Sequence, residues 1–442
     1  MIGFWYLYVF GILLWSCSSK LPDPQLGSLL PRQGFENRAT EVEITGKYFP
    51  ENIARMALRS RDKRDYELQD LRRISDTTLQ AVVSAKTPVG EYDLYMWVDG
   101  IDQAIVLGGA FDMLPNALII YVIDVDQGDA TLLLSPGGES MLIDAGTAAY
   151  ADRIDNLLTQ LGIRQIDHLL ATHHHKDHVE GFERVVNGPD NQPNTADDRH
   201  PRKAIWDRGG SVSDQAYRSV RERYKDLHRA LTGDTKDSFP YIKLEGDVSV
   251  KVMATSGKIL TRSGAIQRVD CGSDENCRSI GTLVSFGDFR FWTGGDLTGG
   301  GNTTADVESL LADQFDDLID VYNVHHHGSN TSSNEKFLQK LKPQVAIVSA
   351  GKDNSHCHPN AELLDRLLKL PKLYVLVTTE GLVQTTKCGS QTTRQRLDPI
   401  GTRAVVNAGN VRIVAERNRF SIKLSSSQEF KWDTHLQSEN PD

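Results

Sequence analysis

The twelve residues from Asp167 to His178, DHLLATHHHKDH, constrain this chain more than any other stretch. They read as a buried strand running straight into a turn that carries four histidines and an aspartate. On such a turn His173 and His175 point the same way, as alternate residues do. Asp177 and His178 then swing round to a second point nearby. One point with two imidazoles and another with an imidazole and a carboxylate suit two adjacent borderline cations such as zinc. Two-metal sites hold their ions about 3.5–4 Å apart. A surface histidine cluster is the bland alternative, and the motifs further along weigh against it.

At 442 residues the chain has room for two or three domains. Its net charge of −10 argues against an extended basic face for nucleic acid, though not against a local one. Residues 1–16 form a charge-free apolar run, shorter than the roughly 20 residues a spanning helix needs, and fit the core of an export signal. Leu14-Trp15-Ser16-Cys17 resembles a bacterial lipobox. That resemblance implies a lipidated Cys17, a linker over 17–23 and a membrane-anchored lipoprotein of the cell envelope, with Ser18 favouring an outer membrane where one exists. Plain secretion and an uncleaved anchor are the alternatives. Cys271, Cys277, Cys357 and Cys388 remain, an even number for a compartment that permits disulfides. Cys271 and Cys277 close a short loop and are the expected pair, with Cys357 and Cys388 as the second. Four free thiols are the alternative.

Residues 24–114 show strand signals and no long helical period. Val42 to Phe49 and Gly90 to Val98 alternate apolar and polar, and Thr78 to Val83 reads as another strand. Several short strands over this length suggest a β-sandwich. The Ile44-x-Gly46-x-x-Phe49 segment and the Gly90-x-Tyr92 strand resemble the IPT/TIG immunoglobulin-like fold. Such a module would space the rest of the chain from a membrane, or bind glycan or protein.

From residue 115 the pattern changes. Ala117 to Val125 is an apolar strand followed by Asp126-Gln127-Gly128-Asp129-Ala130, and a second strand leads to Leu142-Ile143-Asp144-Ala145-Gly146. A helix from Asp152 to Leu161 places Ile154, Leu157, Leu158 and Leu161 on one face. These segments and the His-x-His-x-Asp-His loop resemble the metallo-β-lactamase fold, and within it the domain of ComEC-type competence proteins. Two later strands end in motifs of that family, Gly295-Asp296 and His326-His327-Gly328-Ser329, and His356-Cys357-His358-Pro359 resembles its Gly-His-Pro. The fold implied is α/β, an αββα sandwich over 115–402 behind the immunoglobulin-like module, with strands and a polar, disordered tail over 403–442.

The resemblance implies two divalent ions, zinc or else manganese. One would sit on His173, His175 and His326, the other on Asp177, His178 and His358, with Asp296 bridging. Asp177 and Asp296 would be the catalytic carboxylates, and a hydroxide shared by the ions the attacking group. Asp129 would orient a ligand histidine, with Asp144 also behind the ligands. His327 and Ser329 would contact substrate, His325 would be incidental, and Lys352 and Asn354 would meet a substrate anion. The family's lone intermediate histidine has only His200 and His228 as candidates, and a structural role suits His228. Asn187 to Asp198 is either a calcium loop or a solvated acidic loop. Arg218, Arg221, Arg223, Lys225 and Arg229 form either a nucleic-acid stripe or a solvated face. The activity implied is hydrolysis of phosphodiesters, in nucleic acid or a cell-envelope polymer. β-Lactam or lactone hydrolysis, and a non-catalytic surface binding protein, are the alternatives.

Overall fold

The computed structural model describes residues 22–315, 318–352, 354–379, 381, 388 and 391–434. The export signal and Cys17 lie outside the described residues. Among those described, no helix is long and apolar enough to cross a membrane.

The N-terminal module is built from two sheets. One runs in the order Gln25–Leu30, Thr40–Lys47, Thr78–Val83, Gln69–Arg73, and the other Gln33–Phe35, Ile105–Leu114, Gly90–Val98, Ile53–Ser60, Asp65–Glu67. The alternation read in Gly90–Val98 buries Tyr92, Leu94, Met96 and Val98. They meet Leu29, Ile44 and Leu79 of the other sheet in one core. This module is docked on the remainder. The Tyr121 hydroxyl donates to Gln33 Oε1 at 2.8 Å, and Arg412 pairs with Asp112 at 3.0 Å.

The larger part has two facing sheets with helices outside each. The first sheet is ordered His228–Ala230, Pro201–Asp207, Ile166–Leu170, Ser140–Ile143, Thr131–Leu134, Leu118–Val122, Val411–Ala415, Arg419–Leu424, Glu429–Asp433. The second is ordered Ile266–Arg268, Lys258–Leu260, Val248–Thr255, Gly281–Phe286, Phe289–Thr293, Val321–Asn323, Val345–Val348, Tyr374–Val377, Ala404–Val406. Strand periodicity makes the layers. Leu118, Ile120 and Val122 face the second sheet in a shared core with Phe289, Phe291 and Val321. Ile119, Tyr121 and Ile123 face outward, against Ile154, Leu157 and Leu158 of the helix Ala151–Gln160. Residues of Glu335–Leu341 and Ala361–Leu368 cover the outer face of the second sheet.

Each half begins with antiparallel strands and continues with parallel ones. The motif loops all leave the C-terminal ends of strands, where open α/β sheets gather their functional groups.

Two expectations change. The tail expected to be disordered from Ser425 contains the strand Glu429–Asp433, paired with Arg419–Leu424, and Trp432 stacks on Phe420 at 5.1 Å. Its polar residues are the exposed face of an edge strand pinned by two aromatics, Phe430 and Trp432. Val411–Ala415 lies beside Leu118–Val122, so these C-terminal strands complete the first sheet. The loop before Pro201 is held by its own carboxylates. Asp197 accepts the Asp190 N–H and Asp198 the Asn194 N–H, each at 2.9 Å, in keeping with the solvated-loop reading. Both expected disulfides are present, Cys271–Cys277 and Cys357–Cys388.

Candidate metal centre

The strand Ile166–Leu170 is wholly buried and delivers the histidine loop to the seam between the sheets. His173 lies with its ring centroid 4.8 Å from His175 and 4.2 Å from His178. His178 is fully buried, and its Nδ1–H donates to Asp144 Oδ2 at 2.8 Å. The other Asp144 contacts are to the Thr172 N–H at 2.8 Å and the Thr172 hydroxyl at 2.7 Å. A carboxylate on Nδ1 fixes the tautomer, so His178 presents the lone pair of Nε2 to the site. The orienting role expected of Asp129 therefore belongs to Asp144. Asp129 itself stands in the site, its buried Oδ1 without a hydrogen-bond partner.

Opposite, the strand Phe289–Thr293 ends at Gly294-Gly295-Asp296. Gly295 has φ 51°, and a Cβ there would lie 2.3 Å from Thr172 Oγ1. Only glycine lets these two loops approach so closely. Asp296 is 2 % exposed and stands between two sets of imidazoles. Its Oδ1 is 3.2 Å from His178 Nε2 and 3.5 Å from His327 Nε2. Its Oδ2 is 3.7 Å from both His173 Nε2 and His326 Nε2.

Consecutive histidines reach opposite sides of one carboxylate because the backbone turns left-handed. His326, His327 and Gly328 have φ of 51°, 52° and 82°. Such non-glycine conformations persist only where the surroundings over-determine them. Here the support is His325, which takes the Trp292 indole N–H on Nε2 at 2.7 Å and meets Glu308 through Nδ1 at 2.6 Å. Glu308, fully buried, also accepts the N–H groups of Ser333 and Asn334. The residue expected to be incidental is thus the anchor of the turn.

His327 likewise departs from expectation. Its Nδ1–H donates to the Ser349 carbonyl at 3.0 Å, which turns Nε2 toward Asp177 Oδ2 at 3.3 Å and His178 Nε2 at 3.3 Å. It fills the place expected of His358. The His358 ring stands behind, 5.5 Å from that of His326 and 6.2 Å from that of His327. Asn354 is not free for a substrate anion: its side chain bonds the Gly351 carbonyl and the His358 N–H, both at 2.9 Å. Lys352 is exposed, with its N–H on Asp126 Oδ1. Ser329 is buried, its hydroxyl against that of Thr331. His200 lies against Tyr224, and His228 opens a strand and contacts Asp207 at 2.9 Å. All four stripe arginines are committed locally: Arg218 to Val212 and Ser213, Arg221 to Asp207 and Gly210, Arg223 to Asn187, and Arg229 to the Asp226 and His228 carbonyls.

Sequence reasoning passed over the segment Glu275 to Ile280. Asn276 Nδ2 lies 3.1 Å from His326 Nε2, and Ser279 Oγ accepts the Asp296 N–H at 3.2 Å. Only Cys277 within it and Cys271 just ahead mark it in the sequence.

The electrostatics match the geometry. Burial would raise the Asp296 carboxyl, but the surrounding imidazoles hold it well below the usual carboxylate range. Burial presses His173 well down and His358 down to about 3. For His327 burial is outweighed by Asp296 and Asp177, and its value rises to about 9. The residues fit a divalent metal. Buried His173 Nε2, Asp296 Oδ1, Asp129 Oδ1 and His358 Nδ1 lack hydrogen-bond partners, which buried polar atoms rarely do. Two groups, Asp129-His178-Asp296-His327 and His173-His175-Asp296, bring their ligand-type atoms within 4.8 Å of one another. Imidazole with carboxylate suits zinc and accommodates manganese.

Comparison with known proteins agrees. Residues 123–204 match the metallo-beta-lactamase superfamily. ComE operon protein 3 of Bacillus subtilis is 26% identical over 313 residues, covering 64% of this chain and 36% of that protein. Competence protein ComA of Neisseria gonorrhoeae is 25% identical over 254 residues, 57% of this chain and 30% of the other. Recombination protein 2 of Haemophilus influenzae is 26% identical over 253 residues, 56% and 26% respectively. The chain thus spans about a third or less of the length of these relatives. Fold, buried ligand set and relatives converge: this chain carries a metallo-beta-lactamase superfamily domain similar to that of ComE-type competence proteins.

Proposed function

We propose that the protein is a binuclear metal-dependent phosphodiesterase. The observation that carries this is Asp296, whose two oxygens each face a pair of imidazoles. His173, His175 and His326 with Asp296 Oδ2 would hold one ion. His178, His327, Asp177 and Asp129 with Asp296 Oδ1 would hold the other. When bound, such ions supply a nucleophilic hydroxide near neutral pH and offset charge on the reacting oxygens.

The chain's own residues prepare that chemistry. Asp144 and the Ser349 carbonyl hold the Nδ1 protons of His178 and His327, so that both Nε2 atoms face inward. Glu308 and Trp292 hold the turn that places His326 and His327. His175 is exposed and the Asp177 side chain is 30% exposed, so these two mark the solvent-facing side. Asp177 is held below the usual carboxylate range: burial opposes this, but His327 and His178 outweigh it. It therefore stays ionised, as a carboxylate that is to hold a cation must.

Relatives named for competence and recombination favour a nucleic-acid phosphodiester over a cell-envelope polymer. The module over 24–114 is read as an immunoglobulin-like spacer, and export with lipidation at Cys17 as the route to the envelope. The test is hydrolysis of bis(p-nitrophenyl) phosphate by the full chain with defined zinc or manganese, beside an Asp177→Ala, Asp296→Ala variant, with metal counted in each. Two ions per chain and turnover lost in the variant are expected. Two ions without phosphodiester turnover would redirect the reading to lactams and lactones. Absence of bound metal would end the hydrolase reading in favour of a surface binding protein.

A further inference from the structure

We infer that Asn276 is a substrate-binding residue, its side-chain amide donating to a non-bridging oxygen of the phosphodiester. This rests on the phosphodiesterase reading and assigns the wall of the site that grips the substrate.

Asn276 opens the short turn Asn276–Arg278, between Cys271 and the fully buried Cys277 to which it is bonded. The turn is fastened to both halves of the metal centre. Glu275 accepts the N–H of His174, between the ligand-type residues His173 and His175, at 2.9 Å and pairs with Arg208. Ser279 accepts the Asp296 N–H at 3.2 Å, and the Ile280 N–H donates to the Thr172 carbonyl at 2.8 Å. The disulfide and these contacts leave the Asn276 backbone little room to withdraw.

The amide is committed at one end only. Its Oδ1 is buried without a hydrogen-bond partner, and its Nδ2 faces His326 Nε2 at 3.1 Å. The Nε2 lone pair that accepts this N–H is the one His326 would offer a cation. It cannot do both. In the loaded site the amide loses its partner while its backbone stays fixed beside the centre. In a half-buried place an N–H left without an acceptor is costly, and a phosphoryl oxygen entering over the ions would supply one. The hydrogen bond to an anionic oxygen would be charge-assisted, so its loss costs roughly tenfold to a hundredfold in affinity.

The experiment compares the full chain with its Asn276→Ala variant, each loaded with zinc. Three quantities are measured: metal per chain, affinity for dimethyl phosphate by titration calorimetry, and kcat and KM for bis(p-nitrophenyl) phosphate. The expected result is unchanged metal content with dimethyl phosphate bound at least about tenfold more weakly. The inference is overturned if the variant loses metal while its loaded fraction binds the diester as the parent does, since Asn276 would then only support His326. Equal affinity at equal metal content overturns it too. If the parent itself neither binds nor cleaves a diester, the phosphodiesterase reading has failed first, and this inference with it. A Cys271→Ser, Cys277→Ser chain, checked to melt cooperatively, is expected to weaken diester binding in the same direction by freeing the turn. Unchanged binding there, with Asn276→Ala also silent, counts against the inference a second time.

Discussion

Asp144 holds His178 by its Nδ1 at 2.8 Å and, with the same carboxylate, holds Thr172 by both its N–H and its hydroxyl. One buried acid thus fixes the tautomer of a ligand-type histidine and the start of the loop that carries the others.

Replacing Asp144 with Asn removes the charge and leaves an amide to meet a ring N–H. Partners of this kind are worth about 10–100-fold in metal affinity. The Asp144→Asn variant is expected to lose that much zinc affinity, measured by competition with a chromophoric chelator. Unchanged affinity would show that His178 is oriented by other contacts.

Gly128 has φ 144°, and a Cβ there would lie 2.4 Å from the Asp177 carbonyl oxygen. Gly128→Ala must displace the turn that carries Asp177 and His178. The unfavourable backbone conformation alone costs about 1–3 kcal/mol. Urea unfolding of the metal-free chain should show at least that loss, and metal titration a weaker site.

Glu308 closes a buried network with three donors: His325 Nδ1–H and the N–H groups of Ser333 and Asn334. Glu308→Ala leaves them unpaired and is expected to cost about 3–5 kcal/mol. Glu308→Gln keeps an acceptor and should fall between that variant and the parent in urea titrations. A Glu308→Ala chain as stable as the parent would remove the anchor role assigned to His325.

Stability should fall on acidification through a pair far from the centre. Burial lowers His168 below its ordinary 6.5, outweighing Glu139, so the unfolded chain binds that proton more readily. Its contribution therefore declines as pH drops below about 6.5. Burial would raise Glu139, but Lys203, the Glu245 N–H and His168 hold it below its ordinary 4.5. Its contribution is present above about pH 4.5 and lost below it. Melting curves of the metal-free chain should show both phases. His168→Gln should flatten the upper one and Glu139→Gln the lower, and an unchanged slope in either variant would contradict its assignment.

What could be read in advance was what is local in sequence. Gly90–Val98 announces itself by strict alternation, and His173 to His178 by spacing alone. The assignment of His326 and His327 was not legible, because it depends on two successive left-handed residues that no side-chain pattern announces. Asp129 and Asp144 are both acids at strand ends, and only tertiary contact shows which one meets His178. Asn276 belongs to the centre because a loop folds back on it. Asn410, whose side chain accepts the Asp124 N–H, is distant in sequence, so nothing near either residue foretells that the last strands finish the first sheet.

The seam between the halves has a consequence for how the molecule meets its surroundings. Asp129, His173, His175, Asp177 and His178 come from one half, and Asp296, His326 and His327 from the other. An ion held there would draw on both halves at once, so it would bind only the folded chain, in which they meet. An ion bound only by the folded form would add about 2.7 kcal/mol at a hundredfold excess over its dissociation constant. On the proposed function, metal supply would then set, as a single dial, both how much of the chain stays folded and how much of it is able to work.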